Sequence, residues 1–287
     1  MIAGAQKAGT TSLKNYLGQH PQIQTHHQKE FAYFVDEAAF EKGYPAAKQK
    51  YFRPVKQDAV LLAKSAGLYI SEKALDRLKE HNPDSRLVVI LRNPVERTYS
   101  SFLMEKNYGA ISESFEIILD IIHKADPADW RYEFFIGMSL YCKQLELIYR
   151  YFPKEQVQLV RFEELTDNPQ AVCKSLFRWL NLDDTFTPDT SVRHNVTTVT
   201  RSRTYGKLLL RVLRNSNPLK KAVRVFLPGK MDYKVGEVMR KINHTGKKYD
   251  PIAPATMKEL VEFFRPYNDE LSKKTGVDFS SWNKTEQ

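Results

Sequence analysis

Hydrophobic positions along the chain fall into short unbroken runs separated by longer stretches of helical period. Met1–Gly4, Val60–Ala63, Arg86–Arg92 and Gln156–Arg161 each set branched or small apolar residues between polar or glycine boundaries, the pattern of buried strands. Between them, apolar residues recur at helical spacing. Thr10–Leu17 reads as a helix ended by Gly18, and Glu72–His81 as one capped by Ser71. A helix over Pro94–Lys106 follows from Asn93 as N-cap and Pro94 at the first helical position. Helices are expected to dominate from Glu113 to Phe152, where Trp130–Phe152 carries one apolar stripe and stops before Pro153, and Pro169–Leu180 forms another helix. Asp183–Arg203 is polar and threonine-rich and reads as a loop. Alternation of strand and helix implies an α/β fold, a central mostly parallel sheet flanked by helices in three layers. Ligands of such sheets sit beyond the carboxyl ends of the strands, where Lys7, Lys64 and Arg92 fall.

Two strand ends carry chemistry. Gly4-Ala5-Gln6-Lys7-Ala8-Gly9-Thr10-Thr11-Ser12 runs from a strand through a glycine-bearing turn into a helix start, a P-loop-like cradle in which backbone N–H groups and the positive helix end converge on an anion. A nucleotide-triphosphate loop reads G-x-x-x-x-G-K-[ST]. The glycine frame is present, but Thr10 stands where lysine would, and the basic residue is Lys7 inside the loop. The strand that would end in a magnesium-holding aspartate ends in Arg92 instead, followed by Asn93-Pro94-Val95-Glu96-Arg97-Thr98-Tyr99-Ser100. A cation there binds phosphate directly and repels metal, and Ser100 adds a hydroxyl on the same helix. A ligand with two separate anionic ends and no metal between them fits this pair of loops better than ATP with Mg²⁺.

These segments resemble the sulfotransferases that use PAPS (3′-phosphoadenosine 5′-phosphosulfate), in particular the bacterial and heparan-sulfate-type branch. The Gly4–Ser12 segment resembles their 5′-phosphosulfate loop, and Arg92–Ser100 their 3′-phosphate loop. Lys29-Glu30-Phe31-Ala32-Tyr33-Phe34 is similar to the K-E-x-x-[FY]-F segment, and Leu62–Tyr69 to the K-[ST]-P-x-Y stretch, with Ala66 in place of the usual proline. Val160–Leu165 and the final Phe279-Ser280-Ser281-Trp282 also match, so the resemblance spans nearly the whole chain. It implies that Lys7, Ala8, Gly9, Thr10, Thr11 and Ser12 hold the 5′-phosphosulfate and that Arg92 and Ser100 hold the 3′-phosphate. The resembling enzymes have a closing loop here that reaches the nucleotide, which implies a contact from Arg201, with Ser202 and Arg203 beside it. Glu30 takes the role of catalytic base, Lys7 stabilises the leaving phosphate, and Lys64 assists the sulfuryl group or orients the base. His26 and His27 are rival bases; as neighbours on a strand they point to opposite faces, so at most one can serve. PAPS is then the donor and PAP the product, with no metal required and a small-molecule or glycan hydroxyl or amine as acceptor.

Composition narrows the rest. The 287 residues suffice for one domain spanning 1–287, with a basic helical elaboration at about 201–248. Net charge is +10, and between Arg201 and Lys248 only Asp232 and Glu237 oppose the cations. Within that segment Tyr205–Arg214 is a candidate basic amphipathic helix. It reads as a solvated face, as a wall of the cofactor or acidic-substrate site, or as a membrane-surface contact. Nucleic acid is a poor fit, because stacking aromatics are not interleaved with the basic residues. Phe31, Tyr33, Phe34, Tyr44, Tyr51 and Phe52 are expected to line or close the acceptor side. Cys142 and Cys173 lack metal-ligand spacing and read as buried thiols. With no signal peptide pattern and no apolar span, the expected location is the cytoplasm. A P-loop small-molecule kinase and a non-catalytic phosphonucleotide- or polyanion-binding protein stay open as alternatives. Oligomeric state is not legible from the sequence.

Overall fold

The computed structural model of the chain describes residues 1–52, 54–126, 128–192 and 249–285. Among these residues five strands, β1 (Ile2–Gly4), β2 (Ile23–Thr25), β3 (Val60–Leu62), β4 (Leu87–Leu91) and β5 (Val157–Arg161), all pair in parallel. β4 lies between β1 and β5, and β2 pairs with β3. Just past β3, the Ile2 N–H donates to the Ala63 carbonyl (2.8 Å) and the Ser65 N–H to the Ile2 carbonyl (3.0 Å). The spatial order is therefore β2-β3-β1-β4-β5. β4 has a paired strand on each side, and its five residues are all buried, as an unbroken apolar run requires.

Helices α1 (Thr10–Leu17), α2 (Glu37–Phe40), α3 (Gly43–Tyr51), α4 (Glu72–His81) and α5 (Pro94–Tyr108) are followed by α6 (Ile117–Lys124), α7 (Tyr141–Tyr151), α8 (Phe162–Asp167), α9 (Pro169–Trp179) and α10 (Pro254–Thr275). The chain moves from β1 to β2 in one direction across the sheet and from β3 to β4 to β5 in the other. Right-handed crossovers in opposite directions place their helices on opposite faces. Packing agrees: α4 lies against α7, and α1 against α9. The reversal occurs at β1, so the crevice beyond its carboxyl end is the topological switch point. A second apolar cluster, including Phe102, Ile118, Phe135, Leu260 and Phe264, joins α5 and α6 to α10.

The expected strands and the first helices stand within a residue or two of their boundaries. The stripe Trp130–Phe152 is not one helix. Tyr132–Ile136 forms a π turn, Gly137–Ser139 a 3₁₀ turn, and α7 begins only at Tyr141. The cause is the fully buried Arg97, whose Nη2 donates to the Phe134 and Phe135 carbonyls (3.0 and 2.6 Å), while Thr98 Oγ1 donates to Phe135 as well (2.9 Å). Carbonyls turned toward a guanidinium are withdrawn from the regular i→i+4 ladder. Elements absent from the sequence expectation are β2, α2, α3, α8 and α10. Residues 183–192 carry no helix or strand, as expected of a loop. The candidate helix Tyr205–Arg214, the basic stretch 201–248 and Arg201 itself lie outside the described residues.

Candidate active site

β1 delivers the chain into the cradle. At Gly4 a Cβ would sit 2.6 Å from the Tyr69 ring, so only glycine permits the close approach. Lys7 and Gly9 take left-handed backbone angles, φ 73° and 81°, which turn the loop into α1. No side chain caps α1 and no acidic residue sits in its first turn. Its free amides and positive end are left for an anion. Ala8 and Thr10 are buried, while Lys7, Gly9, Thr11 and Ser12 are half-buried around them.

Because the described strands are all parallel, Lys7 after β1, Lys64 after β3 and Arg92 after β4 fall at one edge of the sheet. Arg92 is tied to the cradle: Nη1 donates to the Lys7 carbonyl (3.1 Å), and the guanidinium lies 4.6 Å from the Phe162 ring centroid. Nε and Nη2 meet Glu96 one turn on (3.1 and 3.0 Å). Ser100 lies a further turn along the same face of α5. Buried Tyr141 secures the strand end by donating its hydroxyl to the Arg92 carbonyl (2.7 Å). Burial, and then the charges of Lys29, Arg92 and Arg97, lower the Lys7 ammonium from 10.5 to about 8.

On the other side of β1, Lys64 is 1% exposed and donates to Glu30 Oε1 at 2.6 Å and to the cradle hydroxyl of Thr11 at 3.4 Å. Burial pushes the Lys64 ammonium down, against the pull of Glu30. The other Glu30 oxygen accepts from the Ala66 N–H (3.0 Å), and the Glu30 side chain keeps 39% of its surface exposed. A carboxylate open to solvent, a lysine behind it and a hydroxyl of the anion cradle thus form one chain of contacts. The two histidines point elsewhere. His26 is 1% exposed, its Nε2 accepts the Lys64 N–H (3.1 Å), and burial lowers its imidazole to about 3. His27 turns outward and bonds the Tyr51 carbonyl through Nδ1 (3.0 Å).

The sulfotransferase domain family matches residues 1–272 of this chain. The chain belongs to that family. Human heparan sulfate glucosamine 3-O-sulfotransferase 6 is 25% identical over 280 residues, covering 97% of this chain and 72% of the human protein. The bifunctional heparan sulfate N-deacetylase/N-sulfotransferase 1 of Caenorhabditis briggsae is 27% identical over 209 residues, 67% of this chain; the match spans only 23% of that relative. The crystal structure of a sulfotransferase from Alicyclobacillus acidocaldarius superposes with a TM-score of 0.67 at 22% identity, covering 99% and 97% of the two chains, and shares the α/β P-loop-like fold.

Several residues that support this candidate site received no role from the sequence. Lys14 is buried in α1 and donates to the His26 and Gln28 carbonyls (3.0 and 3.2 Å), which pins the backbone leading to Glu30. Burial and the nearby Lys64 lower its ammonium to about 8. Nothing in its helical spacing separates it from a solvated lysine. Phe162 backs both Gly9 and Arg92. Glu163 Oε1 accepts from the Asn93 N–H (3.3 Å) and the Trp282 indole (3.0 Å), so the Val160–Leu165 and Phe279–Trp282 motifs meet behind the Arg92 loop. The aromatic group corrects an expectation. Phe31, Tyr33, Phe34, Tyr51 and Phe52 are at most 5% exposed and stack on one another and on His26, so they are core and not an acceptor lining; Tyr44 is half-buried at their margin. Among the described residues no group of His, Cys, Asp and Glu could hold a metal, and no helix is long and apolar enough to cross a membrane.

Proposed function

We propose that this chain transfers the sulfuryl group of PAPS to a hydroxyl or amine of a small-molecule or glycan acceptor. The observation that carries the reading is the convergence of Lys7, Lys64 and Arg92 at one sheet edge, around an uncapped helix start, with Glu30 held 2.6 Å from Lys64. Cations without an acidic partner set for metal suit a donor that brings several anionic oxygens. The donor supplies an activated S–O bond whose cleavage leaves charge on the 5′-phosphate. Ala8, Gly9, Thr10, Thr11 and Ser12 would hold that phosphate through the loop and the first turn of α1. Lys7, with a proton lost near pH 8, is suited to oppose the charge on the departing oxygen or to protonate it. Arg92 and Ser100 would take the 3′-phosphate, and Arg201 would reach the nucleotide. Glu30, exposed on one side, takes the proton of the attacking acceptor, and Lys64 orients it and faces the sulfuryl oxygens. His26 is unsuited to that task, with its ring buried and Nε2 committed to backbone. The named relatives carry both N- and O-sulfotransferase descriptions on glycans, which supports a glycan hydroxyl or amine as the acceptor class to try first.

Thermal unfolding with PAP, with AMP and with ATP plus Mg²⁺ at equal concentration tests the donor site. A ligand that binds only the folded state raises the midpoint by mass action, by about 2.7 kcal/mol of stability at a hundredfold excess over Kd. A large rise with PAP, little with AMP and none that depends on metal is the expected result. A rise with ATP and Mg²⁺ but none with PAP would hand the site to a kinase. Transfer of labelled sulfate from PAPS to heparosan and to simple phenols then tests the acceptor.

A further inference from the structure

Glu30 is held by more than its lysine. The Phe31 N–H donates to the Lys64 carbonyl (2.7 Å), laying the Glu30 backbone alongside residues 64–66. From there the carboxylate takes Lys64 Nζ on Oε1 and the Ala66 N–H on Oε2. Two donors on two oxygens fix the plane of a group whose terminal torsion is otherwise broad. Ala66 is free to donate because of the turn it occupies. The Leu68 N–H donates to the Ser65 carbonyl (3.1 Å), closing a four-residue turn, and Gly67 sits at φ −92°, ψ −6°. Those angles are those of the third residue of a type I turn, near −90° and 0°, so Ala66 is the second residue. The amide of that residue plays no part in the turn's own bond. It is also the position that accepts proline most readily, and the resembling K-[ST]-P-x-Y segment has proline there, with no N–H to give.

We infer that the Ala66 backbone amide is a positioning donor that fixes the Glu30 carboxylate beside Lys64 for proton abstraction. The inference rests on Glu30 being the base, and the two are separable. Ala66→Pro removes the donor at a position whose backbone tolerates the ring, whereas Ala66→Gly keeps it. Turnover is read as PAP released from PAPS, with heparosan and with water alone as acceptor, alongside PAP affinity by calorimetry. Ala66→Pro is expected to lower turnover about tenfold, as a misplaced reacting group does, with KM for PAPS and PAP affinity unchanged and Ala66→Gly close to wild type. Wild-type turnover in Ala66→Pro while Glu30→Gln is inactive would overturn the positioning role and leave the base in place. Wild-type turnover in Glu30→Gln would remove the base and this inference together. Urea unfolding guards against simple misfolding: the midpoint shift from Ala66→Pro should shrink when Glu30→Ala is already present. An equal shift in both backgrounds would put the damage in the turn itself and sink the inference.

Discussion

Burial and the charges of Lys29, Arg92 and Arg97 bring Lys7 to about 8, so its charge is adjustable within the working range of an enzyme. An anion at the cradle favours the protonated ammonium. Below pH 8 that proton is already present; above it, PAP must recruit one. PAP affinity is therefore expected to fall with rising pH above about 8, by up to tenfold per unit, with proton uptake visible when calorimetry is repeated in buffers of different ionisation enthalpy. Lys7→Arg should flatten this dependence. Arg92→Ala removes the proposed charge-assisted partner of the 3′-phosphate and should weaken PAP about 10- to 100-fold with little change in melting point, since the side chain lies half-exposed at a strand end. Equal PAP affinity in wild type and Arg92→Ala would refute that assignment. His26 shows the opposite use of burial. Its folded imidazole protonates only near 3, but the unfolded one near 6.5. The unfolded state thus binds the extra proton between those values, and stability drops as pH falls from 6.5 toward 3, by about 2 kcal/mol at pH 5. Urea unfolding at pH 7 and pH 5 should show a smaller drop in His26→Gln.

Among the elements, the loop after β4 depends on parts distant in sequence. Trp282, at the carboxyl-terminal end of the described chain, donates to Glu163 at the start of α8, and Glu163 accepts in turn from Asn93, the N-cap of α5. Trp282→Phe keeps most of the packing on Phe279 and Tyr141 and deletes one donor. A cost of about 1.5–3 kcal/mol is expected from the lost hydrogen bond to a carboxylate, whose Oε1 keeps only the Asn93 N–H, with PAP affinity falling as Arg92 loses support. An unchanged urea midpoint would show that Glu163 finds another partner. The π turn at Tyr132–Ile136 is a second case. Its hydrophobic spacing is helical, and Arg97 from α5 overrides it by claiming two of its carbonyls.

For the whole molecule, the strand order β2-β3-β1-β4-β5 brings residues 7, 30, 64 and 92 to one edge. Local sequence reached far toward this result. The strand runs, the glycine frame of the cradle, the Asn93-Pro94 helix start and the identities of Lys7, Glu30, Lys64 and Arg92 are all written in short segments, because backbone turns and helix caps are decided by neighbouring residues. The α/β class and the family follow from the same segments in order. Tertiary structure decided what depends on distant partners. It made Phe31, Tyr33, Phe34, Tyr51 and Phe52 core, because burial is a property of what packs above a residue. It separated His26 from Glu30 by spending Nε2 on the Lys64 backbone, gave Lys14 a supporting role that no local pattern announces, and gave Phe162 and Glu163, already inside a matching segment, contacts that the segment alone does not specify. It also closed the distance between Glu30 and the Lys64–Ala66 turn. Short-range chemistry fixes which residue types stand at the strand ends; only the parallel pairing of strands far apart in the chain brings their charges close enough to act on one another.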